Sequence, residues 1–71
     1  VNYTVIYEST PTGYSAYVPD LPGCVAAGET RAEAERLIRS ALREHVALLR
    51  SRGESVPEPS TSSGTVAAGD A

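Results

Sequence analysis

Acid–base or metal chemistry would need carboxylates, and the chain scatters them: Glu8, Asp20, Glu29, Glu33, Glu35, Glu44, Glu54 and Glu58. A two-metal nuclease draws several carboxylates into one site, yet the middle of the first apolar segment, Tyr3 to Tyr7, carries none. Glu33 is accounted for by helix capping and Glu35 can pair with Arg39 one turn on. If any nuclease chemistry remained, Glu8 and Asp20 would be its first candidates. His45 is the only histidine. At helical spacing it falls beside Ala41 and Leu49 in an apolar stripe, which suits a core or interface residue. No Ser or Cys nucleophile accompanies it at a recognisable spacing. The single Cys24 rules out an internal disulfide and a Cys-rich zinc site. It follows a Pro-Gly turn and reads as a small buried hydrophobe. These residues assemble no catalytic centre, and no cofactor or metal is expected.

Arginine is the more informative residue type. All six cations are Arg, and guanidinium suits bidentate contact with phosphate or carboxylate. Arg36, Arg39, Arg43 and Arg50 fall within a narrow angular range, on the helix face opposite the apolar stripe. Such a face is ordinarily just solvated; the functional alternative is contact with RNA or an acidic partner. The net charge of −3 and pI of about 4.9 do not suggest a general nucleic-acid binder. Gly23 and Gly28 precede the helix without the pattern of a phosphate loop.

Four elements must position these groups. Asn2 to Glu8 alternates β-branched and aromatic residues and predicts a strand. Ser9 to Gly13 is a turn cluster. Tyr14 to Val18 predicts a second strand, with Tyr14, Ala16 and Val18 on one face and Ser15 and Tyr17 on the other. The short Pro- and Gly-containing connection implies an antiparallel hairpin. Pro19-Asp20-Leu21-Pro22-Gly23 breaks the sheet, and its two fixed proline φ angles make a stiff loop. A stiff loop loses little entropy on binding, so Tyr17, Asp20, Leu21 and Gly23 are the candidate partner-binding residues. Cys24 to Gly28 is a third strand of small residues.

The helix is the clearest element. Thr30-Arg31-Ala32-Glu33 matches a capping box, in which the Glu33 carboxylate returns to the Thr30 amide. The stripe Ala34, Leu37, Ile38, Ala41, Leu42, Val46, Leu48 and Leu49 keeps helical spacing. Gly53 stands just past a cationic end. Glu54 to Pro57 is extended and is a candidate for a short fourth strand. From Glu58 onward Val66 is the only branched aliphatic residue, so residues 1–58 are taken as the domain and 59–71 as a disordered tail.

Seventy-one residues allow one small domain. No apolar run approaches the ~20 residues of a membrane span, and no signal pattern opens the chain. A cytoplasmic protein is the default. One helix covers one face of a sheet. Ile6 alternates onto the face away from Tyr3, Val5 and Tyr7, so the uncovered face should stay partly apolar and seek a partner. So small a core makes self-association the leading expectation.

The runs Tyr3-Thr4-Val5-Ile6-Tyr7-Glu8, Gly13-Tyr14, Val18-Pro19-Asp20-Leu21-Pro22-Gly23-Cys24, Gly28-Glu29-Thr30 and Glu33-Ala34 closely resemble the HicB-like antitoxin family. Gly53-Glu54-Ser55-Val56-Pro57 resembles the end of that family's N-terminal domain. The resemblance spans residues 2 to 59. It implies an α+β fold, a partly degraded ribonuclease-H-like domain with a three-stranded antiparallel sheet packed on one long helix. It implies dimers or tetramers, and a non-catalytic protein that neutralises a HicA-type RNA-cleaving toxin by occlusion. Fuller members carry a C-terminal helix-turn-helix or ribbon-helix-helix module. Here a Ser/Thr/Gly/Ala segment follows instead, and direct DNA binding is not expected. The other reading is a stand-alone relative that binds RNA or another protein through the arginine face.

Overall fold

The computed structural model describes residues 1–69. It orders the chain as β1 (Ile6–Thr10), β2 (Gly13–Tyr17), β3 (Val25–Gly28) and α1 (Arg31–Ser51). The strands form one antiparallel sheet in the order β1-β2-β3, so the fold is α+β as the sequence predicts. The hairpin is tighter than the turn cluster suggests: Thr10 pairs with Gly13 across Pro11 and Thr12 alone. Pro11 fits the first central position, where φ near −65° is wanted. Gly13 is required there for a different reason. A Cβ on it would lie 2.2 Å from the Gly28 carbonyl oxygen.

β1 starts later than expected. Asn2 to Val5 lies outside the ladder and is held by side chains: the Tyr3 hydroxyl donates to the Pro57 carbonyl, and Thr4 Oγ1 donates to the Thr61 carbonyl at 2.7 Å. The Glu54–Pro57 segment forms no strand. The chain from Pro57 to Thr61 therefore lies beside the N-terminal segment. The boundary drawn at residue 58 falls within it, and Asp70 and Ala71 of the expected tail lie outside the described residues.

Pairing register sorts the sheet into two faces. Tyr7, Ala16 and Ala26 form one row; Ile6, Tyr17 and Val25 form the next, on the other side. The first row meets the helix. Ala16, Val18, Leu21, Cys24, Ala34 and Ile38 are the buried core, with Val5, Tyr7, Tyr14, Ala26, Leu42 and Val46 packed against it. The run of small residues in β3 brings the helix close to the sheet there. Gly28 shows how close, since an added Cβ would sit 2.9 Å from the Ala34 amide nitrogen.

Helix ends follow the sequence with one change. Thr30 is the N-cap and accepts from the Glu33 amide at 3.1 Å, but the Glu33 carboxylate accepts from Glu29 N at 3.0 Å instead of from Thr30. Glu29 precedes the cap, so the reciprocal bond reaches one residue further back. At the other end Gly53 adopts φ 70°. Gly53 N donates to the Arg50 carbonyl and Glu54 N to the Leu49 carbonyl, a Schellman closure. The 21-residue helix is about 31 Å long, whereas a five-residue strand spans about 17 Å. The helix therefore outruns the sheet. Its buried residues, Ala34 and Ile38, lie in the first half, while Leu48, expected in the buried stripe, is 49% exposed. Among the described residues no helix is long and apolar enough to cross a membrane.

Candidate functional site

The Val18–Cys24 connection is built from two consecutive turns. Leu21 N donates to the Val18 carbonyl at 3.1 Å, and Cys24 N donates to the Leu21 carbonyl at 3.0 Å. Pro19 and Pro22 each occupy the first central position, which pre-sets φ. Gly23 follows Pro22 with φ 85°, the left-handed geometry a type II turn asks of that place. A third bond, Val18 N to the Cys24 carbonyl at 3.1 Å, closes the loop at its base. Three backbone hydrogen bonds thus close the loop whose φ angles the two prolines pre-set.

This geometry separates the four predicted partner-binding residues. Leu21, shared by both turns, points inward and is completely buried. It is a core residue that fixes the loop, not a surface offered to a partner, and that corrects the sequence reading. Asp20 faces outward but its carboxylate is occupied. Oδ2 accepts from the Ser60 and Thr61 amides, each at 3.0 Å, and Oδ1 accepts from the Ser60 hydroxyl at 3.0 Å and the Thr61 hydroxyl at 2.7 Å. These bonds, the Thr61 amide foremost, hold its pKa down from 3.8 to about 2. Gly23 is exposed at the loop tip. Tyr17 is 39% exposed on the open sheet face, opposite Val25 at 65%.

The loop thus springs from the Tyr17–Val25 pair. Ile6 stands on the far side of Tyr17 in the same row, half-buried. The result is an apolar row on the face the helix does not cover, with the loop tip at one end and exposed Glu8 in the next row of that face. Sequence alternation pointed to Ile6 and Tyr17. Val25 was missed, because a short strand of small residues gives little sign of which face it shows.

The titratable groups do not converge: among the described residues no three His, Cys, Asp or Glu side chains are placed to hold a metal ion. Cys24 is buried, and desolvation raises its pKa. His45 is half-buried on the far half of the helix. Glu35 pairs with Arg31 at 3.1 Å rather than with Arg39. The Arg31 guanidinium sits 4.5 Å above the Tyr7 ring centroid, which holds it within reach of Glu35. The arginine face also divides. Arg39, Arg43 and Arg50 border a groove next to Leu42 and Val46, so they flank the apolar stripe instead of opposing it. Arg36 does not line the groove and is exposed.

Comparison with known proteins agrees with this architecture. The UPF0150 protein Ta0767 of Thermoplasma acidophilum is 36% identical over 67 residues, covering 93% of this chain and 97% of that protein. An uncharacterized 14.9 kDa protein from the rep-hol intergenic region of Haemophilus phage HP1 is 34% identical over 56 residues; these cover 79% of this chain but 42% of the phage protein. Among solved structures, a chain of the HicA3 and HicB3 toxin-antitoxin complex superposes with a TM-score of 0.71 at 30% identity, covering 84% of this chain and 70% of that one. A family described as "HicB_like antitoxin of bacterial toxin-antitoxin system" matches residues 3–70, a span that includes the Ser60–Thr61 segment bound to Asp20. With its three-stranded sheet, its single long helix and its double-turn loop, the chain belongs to the HicB-like antitoxin family.

Proposed function

We propose that this chain is a non-catalytic, cytoplasmic antitoxin that binds a HicA-type RNA-cleaving toxin and silences it by covering its working surface. The observation that carries this reading is the likeness to a chain of the HicA3 and HicB3 complex, joined to membership of the antitoxin family. The surface we assign to the toxin is the open sheet face, Ile6, Tyr17 and Val25, with Gly23 at the loop tip. It is an exposed apolar patch on a preformed support, so little ordering entropy is lost on docking. A toxin that handles RNA needs a cationic surface. The net charge of −3, with Glu8 on the same sheet face, suits the masking of such a surface. Self-association into a dimer or tetramer belongs to the same reading. We assign it to the Leu48 side of the far half of the helix, where Leu48 is exposed and His45 and Leu49 are half-buried.

The test is titration of a HicA-type toxin from the same genome with the purified chain, reading RNA cleavage and complex formation together. Stoichiometric loss of cleavage supports the proposal. Tyr17→Glu with Val25→Glu should restore cleavage without unfolding the chain. Unchanged cleavage at saturating antitoxin would end the reading.

A further inference from the structure

Two adjoining hollows of about 410 Å³ each run along one flank of the helix. They share Val1, Tyr3, Leu42 and Arg43, and so form one groove on the helix side of the sheet, away from the face assigned to the toxin. The floor is aliphatic at one end, where Leu42 and Val46 are half-buried and Val56 and Pro57 close it, and includes Tyr3 and Tyr7 toward the other. The rim is cationic. Arg39, Arg43 and Arg50 border it, and none of the three has a carboxylate within ion-pair distance among the described residues. Of the two carboxylates in the lining, Glu35 is held by Arg31 and Glu58 lies at the far end. Three guanidinium groups, unpaired among the described residues, therefore follow the groove for about 16 Å of helix, and its Leu42–Val46 end is the apolar part.

We propose that this groove docks an extended segment of another protein in which apolar side chains alternate with acidic ones. In such a segment side chains alternate every ~3.4 Å, so one set can enter the Leu42–Val46 trough while the other meets the arginines. Arg stems lie along apolar surface and keep their charged heads at the rim, which suits this division. A second copy of the chain is a poor occupant. A two-fold contact through this groove would set the two arginine rims against each other. RNA is also disfavoured, because bases need free aromatic faces to stack on. The Tyr7 ring carries Arg31, which leaves Tyr3 as the one lining ring with free faces, too few for a run of bases.

The experiment uses the full chain, isotopically labelled and followed by NMR, titrated with three probes. The first is an alternating Leu/Glu peptide of about eight residues, long enough to span the groove. The second is its Leu/Lys counterpart, and the third an oligouridylate of similar length. Binding of the Leu/Glu peptide with shifts centred on Leu42, Arg43 and Val46, and no binding of the Leu/Lys peptide, is the expected result. Arg43→Ala with Arg50→Ala should weaken it about tenfold, and the lysine versions of both substitutions should weaken it less. Both positions are exposed, and an unchanged spectrum away from the groove verifies folding. Equal binding of both peptides, shifts on Ile6, Tyr17 and Val25 instead, or no binding would overturn the proposal. Salt-sensitive binding of oligouridylate in place of the Leu/Glu peptide would overturn it in favour of RNA. Loss of peptide binding at the groove leaves the toxin proposal standing, because that proposal rests on the other face.

Discussion

Asp20 and Thr61, forty-one residues apart, are joined by two hydrogen bonds: Thr61 N donates to Oδ2 at 3.0 Å and Thr61 Oγ1 donates to Oδ1 at 2.7 Å. Ser60 repeats the pattern with the same two oxygens. One carboxylate thus ties the chain beyond the helix to the loop between β2 and β3. A Ser/Thr-rich sequence with almost no apolar content is held in place by acceptor geometry instead of burial.

This tie is sensitive to acid. The folded-state pKa of Asp20 is depressed to about 2 from 3.8. Its contribution is therefore complete above pH about 4 and is lost as pH falls toward about 2. In a titration of the folded chain, the Ser60 and Thr61 amide resonances should move together with a midpoint near pH 2. In Asp20→Asn they should already be displaced at neutral pH and show no transition there.

Leu21 should behave as a core residue. Leu21→Ala removes a completely buried side chain and should cost about 2–5 kcal/mol of unfolding free energy. For so small a domain that is a large share of the total, and it should appear as a sharply lowered midpoint in urea. Gly23→Ala leaves the core intact but forces a side chain into φ 85°, so its cost should be smaller, about 1–2 kcal/mol.

Thr30→Ala should lower stability by about 1 kcal/mol in denaturant titration, because the Glu33 amide loses its acceptor. Glu33→Gln keeps an oxygen for the Glu29 amide. It should cost less than Glu33→Ala.

Gly13→Ala should be worse than its place in a turn suggests. The new methyl meets the backbone oxygen of Gly28, which cannot rotate away as a side chain could. An overpacking penalty of about 1–3 kcal/mol is expected. Altered amide shifts across Tyr14 to Gly28 would locate the damage.

Cys24 should resist thiol reagents in the native state, since it is buried and its pKa is raised by desolvation. Labelling should proceed at the rate of opening and accelerate in parallel with urea-induced unfolding. Rapid labelling of the folded chain would contradict the burial.

Much of this was legible in the residues. Thr30 and Gly53 marked the helix ends because capping is local chemistry, settled within a few residues. The stiffness of Pro19–Gly23 was equally local. What escaped was long-range. Leu21 looked like an exposed loop residue because only the two turns together turn it inward. Asp20 gave no sign of Ser60 and Thr61, for nothing in a polar stretch announces its acceptor. The Glu35 partner was misassigned because two arginines lie one turn away, and Tyr7 on another element decides between them. Val25 depended on register, which no single strand reveals.

The disparity in length between the helix and its sheet has a consequence for handling the protein. The turns past the sheet rest instead on the N-terminal segment and on Val56 and Pro57, which line one groove with Leu42, Val46 and Arg50. A stretch of about ten residues does not hold helical form unaided in water. Removing the chain after Gly53 should then bleach part of the far-ultraviolet helical signal well before the strands let go.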